Sequence, residues 1–219
     1  MLSLLSLLET RVLGVLVEKE RAVPDSYPLT LNMLIAGSNQ KTSRDPIISA
    51  SETEVQGALD SLKRMSLVIE SSGGRASRYT HNVERVLQVP KQASALLAVL
   101  MLRGPQTAGE LRINCERLHS FADISSVEAF LRELAERPAG ALVMELPRQA
   151  GSRENRWAHL LSGAPEVHER APTAAASDTS GLAVSELAAV KANVARLEAE
   201  VAEVKALLAR ICSELGIGG

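Results

Sequence analysis

Apolar residues recur along the first half of this chain in one order, and that order returns in the second half. Leu5, Leu8, Val12, Val15 and Leu16 share one face of a helix that closes near Glu20, ahead of Pro24. Pro28 opens a second short helix through Leu29, Leu31, Leu34 and Ile35, stopped by Gly37-Ser38-Asn39. A polar connection from Gln40 to Pro46 leads to a third helix with Val55, Leu59 and Leu62 on its apolar stripe. Capping boxes at Ser51/Glu54 and Thr53/Gln56 mark its start. Leu67-Val68-Ile69-Glu70 reads as a strand, Gly73-Gly74 as its turn, and Ala76 to His81 as the return.

The second copy keeps the plan and changes the loop lengths. Its first helix, Ala93 to Leu102, is apolar almost all round, which predicts burial on more than one side. Pro28, Thr30 and Leu34 recur as Pro105, Thr107 and Leu111, and the third-helix stripe recurs as Val127, Leu131 and Leu134 behind a capping box at Ser125/Glu128. Ala141 to Leu146 and Arg156 to Leu161 form the hairpin, around a longer loop from Pro147 to Asn155. Both hairpins end alike, on Arg78-Tyr79-Thr80-His81 and Arg156-Trp157-Ala158-His159. Helix, helix, helix, hairpin, twice over, predicts a mainly α chain with small β-hairpins (α+β): winged-helix domains in tandem at 1–89 and 90–162.

Residues 163–181 are rich in Ala, Pro, Ser, Thr and Gly without periodicity and read as a linker. A heptad follows within 182–216. Leu187, Val190, Val194, Leu197, Val201, Val204, Leu208, Ile211 and Leu215 keep a spacing of three and four throughout. So narrow a seam needs a partner helix, so a coiled coil and a homodimer are expected; the alternative is a helix docked on its own winged domains.

Composition removes several possibilities. The net charge is −2, and each repeat is close to neutral, which weighs against strong non-specific binding to nucleic acid. Tyr27, Tyr79, Phe121, Phe130 and Trp157 are the chain's aromatics, so the cores must be aliphatic and stacking platforms for single strands are missing. Cys115 and Cys212 lie far apart without a pairing pattern, which fits a reducing cytoplasm. Leu2 to Leu8 is apolar, but Glu9, Arg11 and Glu18 follow in helical register, so it reads as the start of the first helix rather than a signal peptide. No apolar run reaches the length of a membrane span, and no membrane partner is expected.

Several polar strings are denser than solvation requires. Val23-Pro24-Asp25-Ser26-Tyr27-Pro28 and Asn39-Gln40-Lys41-Thr42-Ser43-Arg44-Asp45-Pro46 are two; Arg103-Gly104-Pro105-Gln106-Thr107 and Arg153-Glu154-Asn155-Arg156-Trp157-Ala158-His159 are two more. Together they resemble the bacterial YceH-like family across about residues 5 to 163. That resemblance implies a tandem winged-helix fold and brings no established biochemical function. Where relatives carry Cys before Asn-Gln-Lys this chain has Ser38, so a thiol role does not transfer to that position.

For chemistry, the loop between the second and third helices is the first candidate. In a winged helix it lies beside the major groove, where Lys41 and Arg44 could hold phosphates while Asn39 and Gln40 bond to bases or backbone. Its structural alternative has Asn39 and Gln40 capping helix ends and Arg44 paired with Asp45 or another acid. Arg75 and Arg78 in the first hairpin, and Arg148, Arg153 and Arg156 in the second, could grip a phosphate backbone or an acidic partner, or pair along the hairpin with Glu70, Glu145 and Glu154. Against a DNA role, the third helices carry Glu52, Glu54, Asp60, Glu128, Glu133 and Glu136.

Catalysis finds little support. Cys115 and His119 sit four apart, but two ligands do not make a metal site. His81 and His159 recur at one place in both repeats, which suits a framework role, and no cofactor or metal is expected. The leading expectation is a non-enzymatic, DNA-binding or DNA-associated regulatory protein. Its rival is a protein–protein adaptor that uses winged helices without nucleic acid.

Overall fold

A computed structural model describes residues 3–72, 76–148 and 154–165. Arg75, Arg153 and the heptad at 187–215 lie outside the described residues. Met1–Val167 form one compact unit of the α+β class.

Helix α1 (Leu7–Ala22) opens on a reciprocal cap: the Ser6 hydroxyl accepts from the Glu9 amide, and the Glu9 carboxylate accepts from the Ser6 amide at 2.6 Å. A turn of 3-10 helix at Pro24–Ser26 leads to strand β1 (Leu29–Thr30) and helix α2 (Leu31–Ser38). The expected helix start at Pro28 is therefore corrected by three residues. Leu29 and Thr30 pair with the first hairpin instead, and the Thr30 hydroxyl caps α2 through the Met33 amide. Helix α3 (Glu52–Arg64) uses the Ser51/Glu54 box of the two candidates.

Strands β2 (Val68–Ser71) and β3 (Arg78–His81) follow, then the short helix α4 (Val83–Leu87), which the periodicity did not announce. Gln88 ends α4 in the left-handed region, at φ 52°.

The second repeat comprises α5 (Lys91–Arg103), α6 (Ala108–Cys115), α7 (Ile124–Ala135), β4 (Val143–Glu145) and β5 (Trp157–His159). Thr107 and Glu110 form the box of α6. The cap of α7 is Asp123, whose carboxylate accepts from the Ser126 amide at 2.7 Å, so the expected Ser125/Glu128 box already lies inside the helix.

The first sheet runs antiparallel in the order β1-β3-β2 and the second pairs β4 with β5. Gln106 bridges Trp157 just as Leu29 pairs with Tyr79, so even the rudimentary third strand is duplicated.

Every residue from Ala93 to Leu102 is buried, because α5 packs against α1 on one side and against α6, α7 and β5 on the others. On α1, residues Thr10 to Val17 are buried without interruption. Gly14 faces the seam: a Cβ there would sit 3.0 Å from the Leu102 side chain. Leu13, Leu16, Leu96, Leu97 and Leu100 are fully buried, each contributing roughly 1.5–3 kcal/mol by removal from water. The two repeats therefore share one aliphatic core.

Candidate functional site

The polar loop after α2 turns mostly inward. The Asn39 side chain satisfies one backbone unit completely, donating to the Ala50 carbonyl at 2.8 Å and accepting from its amide at 2.7 Å. Gln40 donates to the Thr42 hydroxyl at 3.1 Å. The Arg44 side chain is buried. Its guanidinium donates to both Glu18 carboxylate oxygens at 2.6 and 3.1 Å, and to the Gly37 and Ser43 carbonyls. Arg44, expected as a phosphate contact, is corrected to an internal strut, since a guanidinium with these partners has no donor turned to solvent.

Beside it lies Arg11, fully buried, donating to the Ser38 carbonyl at 3.0 Å and the Pro46 carbonyl at 2.6 Å. Burial and the neighbouring Arg44 charge pull its pKa below the ordinary arginine value, while Asp45 pulls the other way. The spacing of charged residues along α1 does not mark Arg11 as buried. The usable signal was the unbroken run Val12 to Val17, which implies burial all round and takes the flanking residue in with it.

The loop is also strapped to the second repeat. The Asp45 amide donates to the Leu102 carbonyl at 2.8 Å, and Arg103 donates to the Ser43 hydroxyl and the Asn114 side chain, both at 2.8 Å.

Of the nine expected contact residues, the structure leaves four exposed: Lys41, Arg78, Arg148 and Arg156. Arg78 donates to the Pro28 carbonyl at 2.8 Å, and Arg156 lies 3.6 Å from Glu110. Arg75 and Arg153 fall outside the described residues.

The third helices present acids. On α3, Glu52, Thr53, Glu54 and Gly57 are exposed, with Arg64 at the far end; on α7, Ile124, Ser125, Ala129, Arg132 and Glu133 are exposed, with Glu136 at the C-cap. Hydrogen bonds from Ser51 hold the Glu54 carboxyl below the usual range, and Lys63 followed by Gln56 does the same for Asp60. Both stay ionised at neutral pH. Lys63 itself bridges α3 to the hairpin, 2.9 Å from Asp60 and 2.7 Å from Glu70.

One cluster has the composition of a metal centre. Ligand atoms of Glu20, His81 and Glu84 lie within 4.8 Å of one another. The cluster satisfies itself, however. His81 Nε2 is 2.8 Å from Glu20 and Nδ1 is 3.5 Å from Glu84, whose other oxygen accepts from Arg21 at 2.9 Å and from the Ser94 hydroxyl at 2.6 Å. Burial pushes the Glu84 carboxyl upward, but Ser94, His81 and Arg21 outweigh it and hold the pKa below normal.

Tyr27 accepts from the His81 amide at 2.8 Å, and Arg21 donates to the Lys91 carbonyl at 2.7 Å. The group is a clamp joining α1, β3, α4 and α5. His159 has no such partners: its Nδ1 is buried without a hydrogen bond among the described residues, and burial pushes its pKa down to about 4. Cys115 is buried, its thiol pushed up to about 12 by desolvation, and His119 packs edge-on against Phe121 at 4.7 Å. No helix among the described residues is long and apolar enough to cross a membrane.

Residues 5–152, both repeats up to the turn of the second hairpin, match the model of a family described as protein of unknown function, DUF480. A UPF0502 protein of Dechloromonas aromatica is 64% identical over 93% of this chain and 94% of its own length. UPF0502 proteins of Methylibium petroleiphilum and Burkholderia orbicola are 59% and 57% identical, over 99% and 96% of this chain and 92% and 89% of theirs.

Proposed function

Since the chain belongs to the DUF480 family, we propose a function for it that rests on the two repeats the family model spans. It is a non-enzymatic protein-interaction module, in which two winged helices offer the exposed faces of α3 and α7 to a partner protein. The observation that carries this reading is the charge of those faces. In a winged helix the third helix is the element that enters a major groove. Here its exposed charges are Glu52, Glu54 and, at the far end, Arg64 in one repeat, and Arg132, Glu133 and the capping Glu136 in the other, two acids to one base in each. Carboxylates so placed repel phosphates over a Debye length of about 8 Å at physiological salt. Arg44, in the loop that precedes α3, adds no exposed charge there because it is buried against Glu18.

A second reading keeps duplex DNA as the partner, and the exposure of Lys41, Arg78, Arg148 and Arg156 favours it. Both readings place the chain in the cytoplasm as a homodimer through residues 187–215.

Two measurements separate them. Titration of a labelled random duplex at low salt is expected to show no binding. Partners captured from a native lysate are expected to persist after nuclease treatment and to be lost from a Glu52→Arg/Glu133→Arg variant. Salt-sensitive duplex binding that falls in a Lys41→Ala/Arg148→Ala variant overturns the interaction-module reading in favour of DNA.

A further inference from the structure

Matched along the third helix and the hairpin, the two repeats part company at the position of Lys63. In the first, the Lys63 ammonium reaches from the end of α3 to Glu70 on β2, at 2.7 Å. The second repeat keeps the acid: Glu145 stands opposite Trp157 in the β4–β5 register as Glu70 stands opposite Tyr79. Aligning Val55, Leu59 and Leu62 with Val127, Leu131 and Leu134 puts Ala135 where Lys63 stands. A methyl group takes the place of an ammonium. A groove of about 360 Å³ opens there between α7 and the hairpin, lined by Glu128, Arg132, Ala135, Glu136, Glu145 and Trp157.

The charges in this groove do not balance. Arg132 pairs with Glu128 at 3.0 Å, and Asn155 donates to Glu145 at 2.9 Å. Glu136 and Glu145 have no cation within ion-pairing distance among the described residues. Trp157 adds an indole, whose ring quadrupole attracts cations. The same carboxylates turn away a phosphate chain.

We propose that this groove is a docking site for a lysine or arginine side chain on a cationic segment of a partner protein, the incoming charge occupying the place that Lys63 holds in the first repeat. The inference rests on the interaction-module reading and names the chemistry of the partner. Charge complementarity selects the occupant, and the first repeat shows that a lysine can bridge the third helix to the hairpin acid.

The probe is a short fluorescein-labelled peptide of alternating Lys and Ala, read by anisotropy at low salt against the full chain. Saturable binding is expected, with none for the Glu-for-Lys counterpart peptide. Ala135→Lys, which fills the groove from within, is expected to weaken binding tenfold or more. Glu145→Gln should cost about tenfold, the equivalent of one charge-assisted contact. Asp25→Asn, an exposed acid in the 3-10 turn of the first repeat, should leave binding unchanged.

No binding by the parent, or equal losses from Glu145→Gln and Asp25→Asn, overturns the proposal. A melting scan of each variant identifies a failure to fold, and Glu145→Gln, at an exposed position, carries the test if Ala135→Lys is unstable. Absent peptide binding with nuclease-resistant lysate capture would remove the groove and leave the module reading standing. Peptide binding with nuclease-sensitive capture would do the reverse.

Discussion

Arg44 and Lys41 sit three residues apart in one loop, and the fold gives them opposite fates. Arg44→Ala leaves Glu18 without its buried partner, which costs about 3–5 kcal/mol. Lys41→Ala is expected to stay within about 0.5 kcal/mol of the parent, as exposed substitutions do. Urea unfolding of both variants checks the contrast, and similar stabilities would contradict it. The sequence could not tell the two apart, because a cation in a polar string looks the same whether it points out or in. What decides is Glu18, placed a loop and a helix away on α1. The alternative that paired Arg44 with an acid was legible, but its partner was not.

His159 makes a second residue-level prediction. Its folded pKa of about 4 lies below the ordinary value of 6.5, so the unfolded chain binds the extra proton between those pH values. Stability from this group is complete above pH 6.5 and is lost as pH falls toward 4, by about 1.4 kcal/mol per pH unit at most. His159→Gln should flatten the decline of melting temperature across that window. An unchanged slope would show that His159 is solvated.

At the scale of elements, two glycines predict opposite outcomes for one substitution. Gly57 lies at the exposed middle of α3 with open space around it, so Gly57→Ala should stabilise by roughly 0.5–1 kcal/mol through helix propensity. A Cβ at Gly37 would lie 2.7 Å from Val15 Cγ1, so Gly37→Ala wedges α2 off α1 and should cost roughly 1–3 kcal/mol. Thermal melts of the two variants should move in opposite directions. Helix existence and the third-helix stripes were legible because a 3.6-residue period is written in the side chains themselves. Starts were less so. Thr30 and Asp123 cap where a neighbouring strand or a longer loop allows, and β1 exists only because β3 lies beside it. Helix α4 is too short to show a period at all.

At the scale of the molecule, the repeat was legible and the seam was half so. The all-round apolar character of Ala93–Leu102 predicted a neighbour, but nothing in that pattern identified it as α1. A shared core implies that 1–165 unfolds in one transition, and that a fragment ending at Val89 exposes the seam face of α1 and aggregates or unfolds. Calorimetry showing two separate transitions would contradict this.

The heptad makes the other whole-molecule prediction: light scattering should report a dimer for the full chain, and a monomer for Val201→Asp and for a truncation after Gly163. In the expected coiled coil Val201 falls in the apolar seam, where an unpaired buried charge would cost several kcal/mol. A full-length monomer would remove the dimer from both functional readings.

The burial of α5 on every side has one more consequence. Two modules joined by a tether can adjust to whatever spacing a partner offers. These two are locked through α1 and α5, so under the proposed interaction role they would act as the jaws of a caliper welded at one setting. A partner with two epitopes at that setting gains the second contact at high effective concentration; at any other setting the second jaw contributes nothing. Selectivity can then reside in a length, which no single contact residue encodes and which a mutation at Gly14, far from either outward face, would reset.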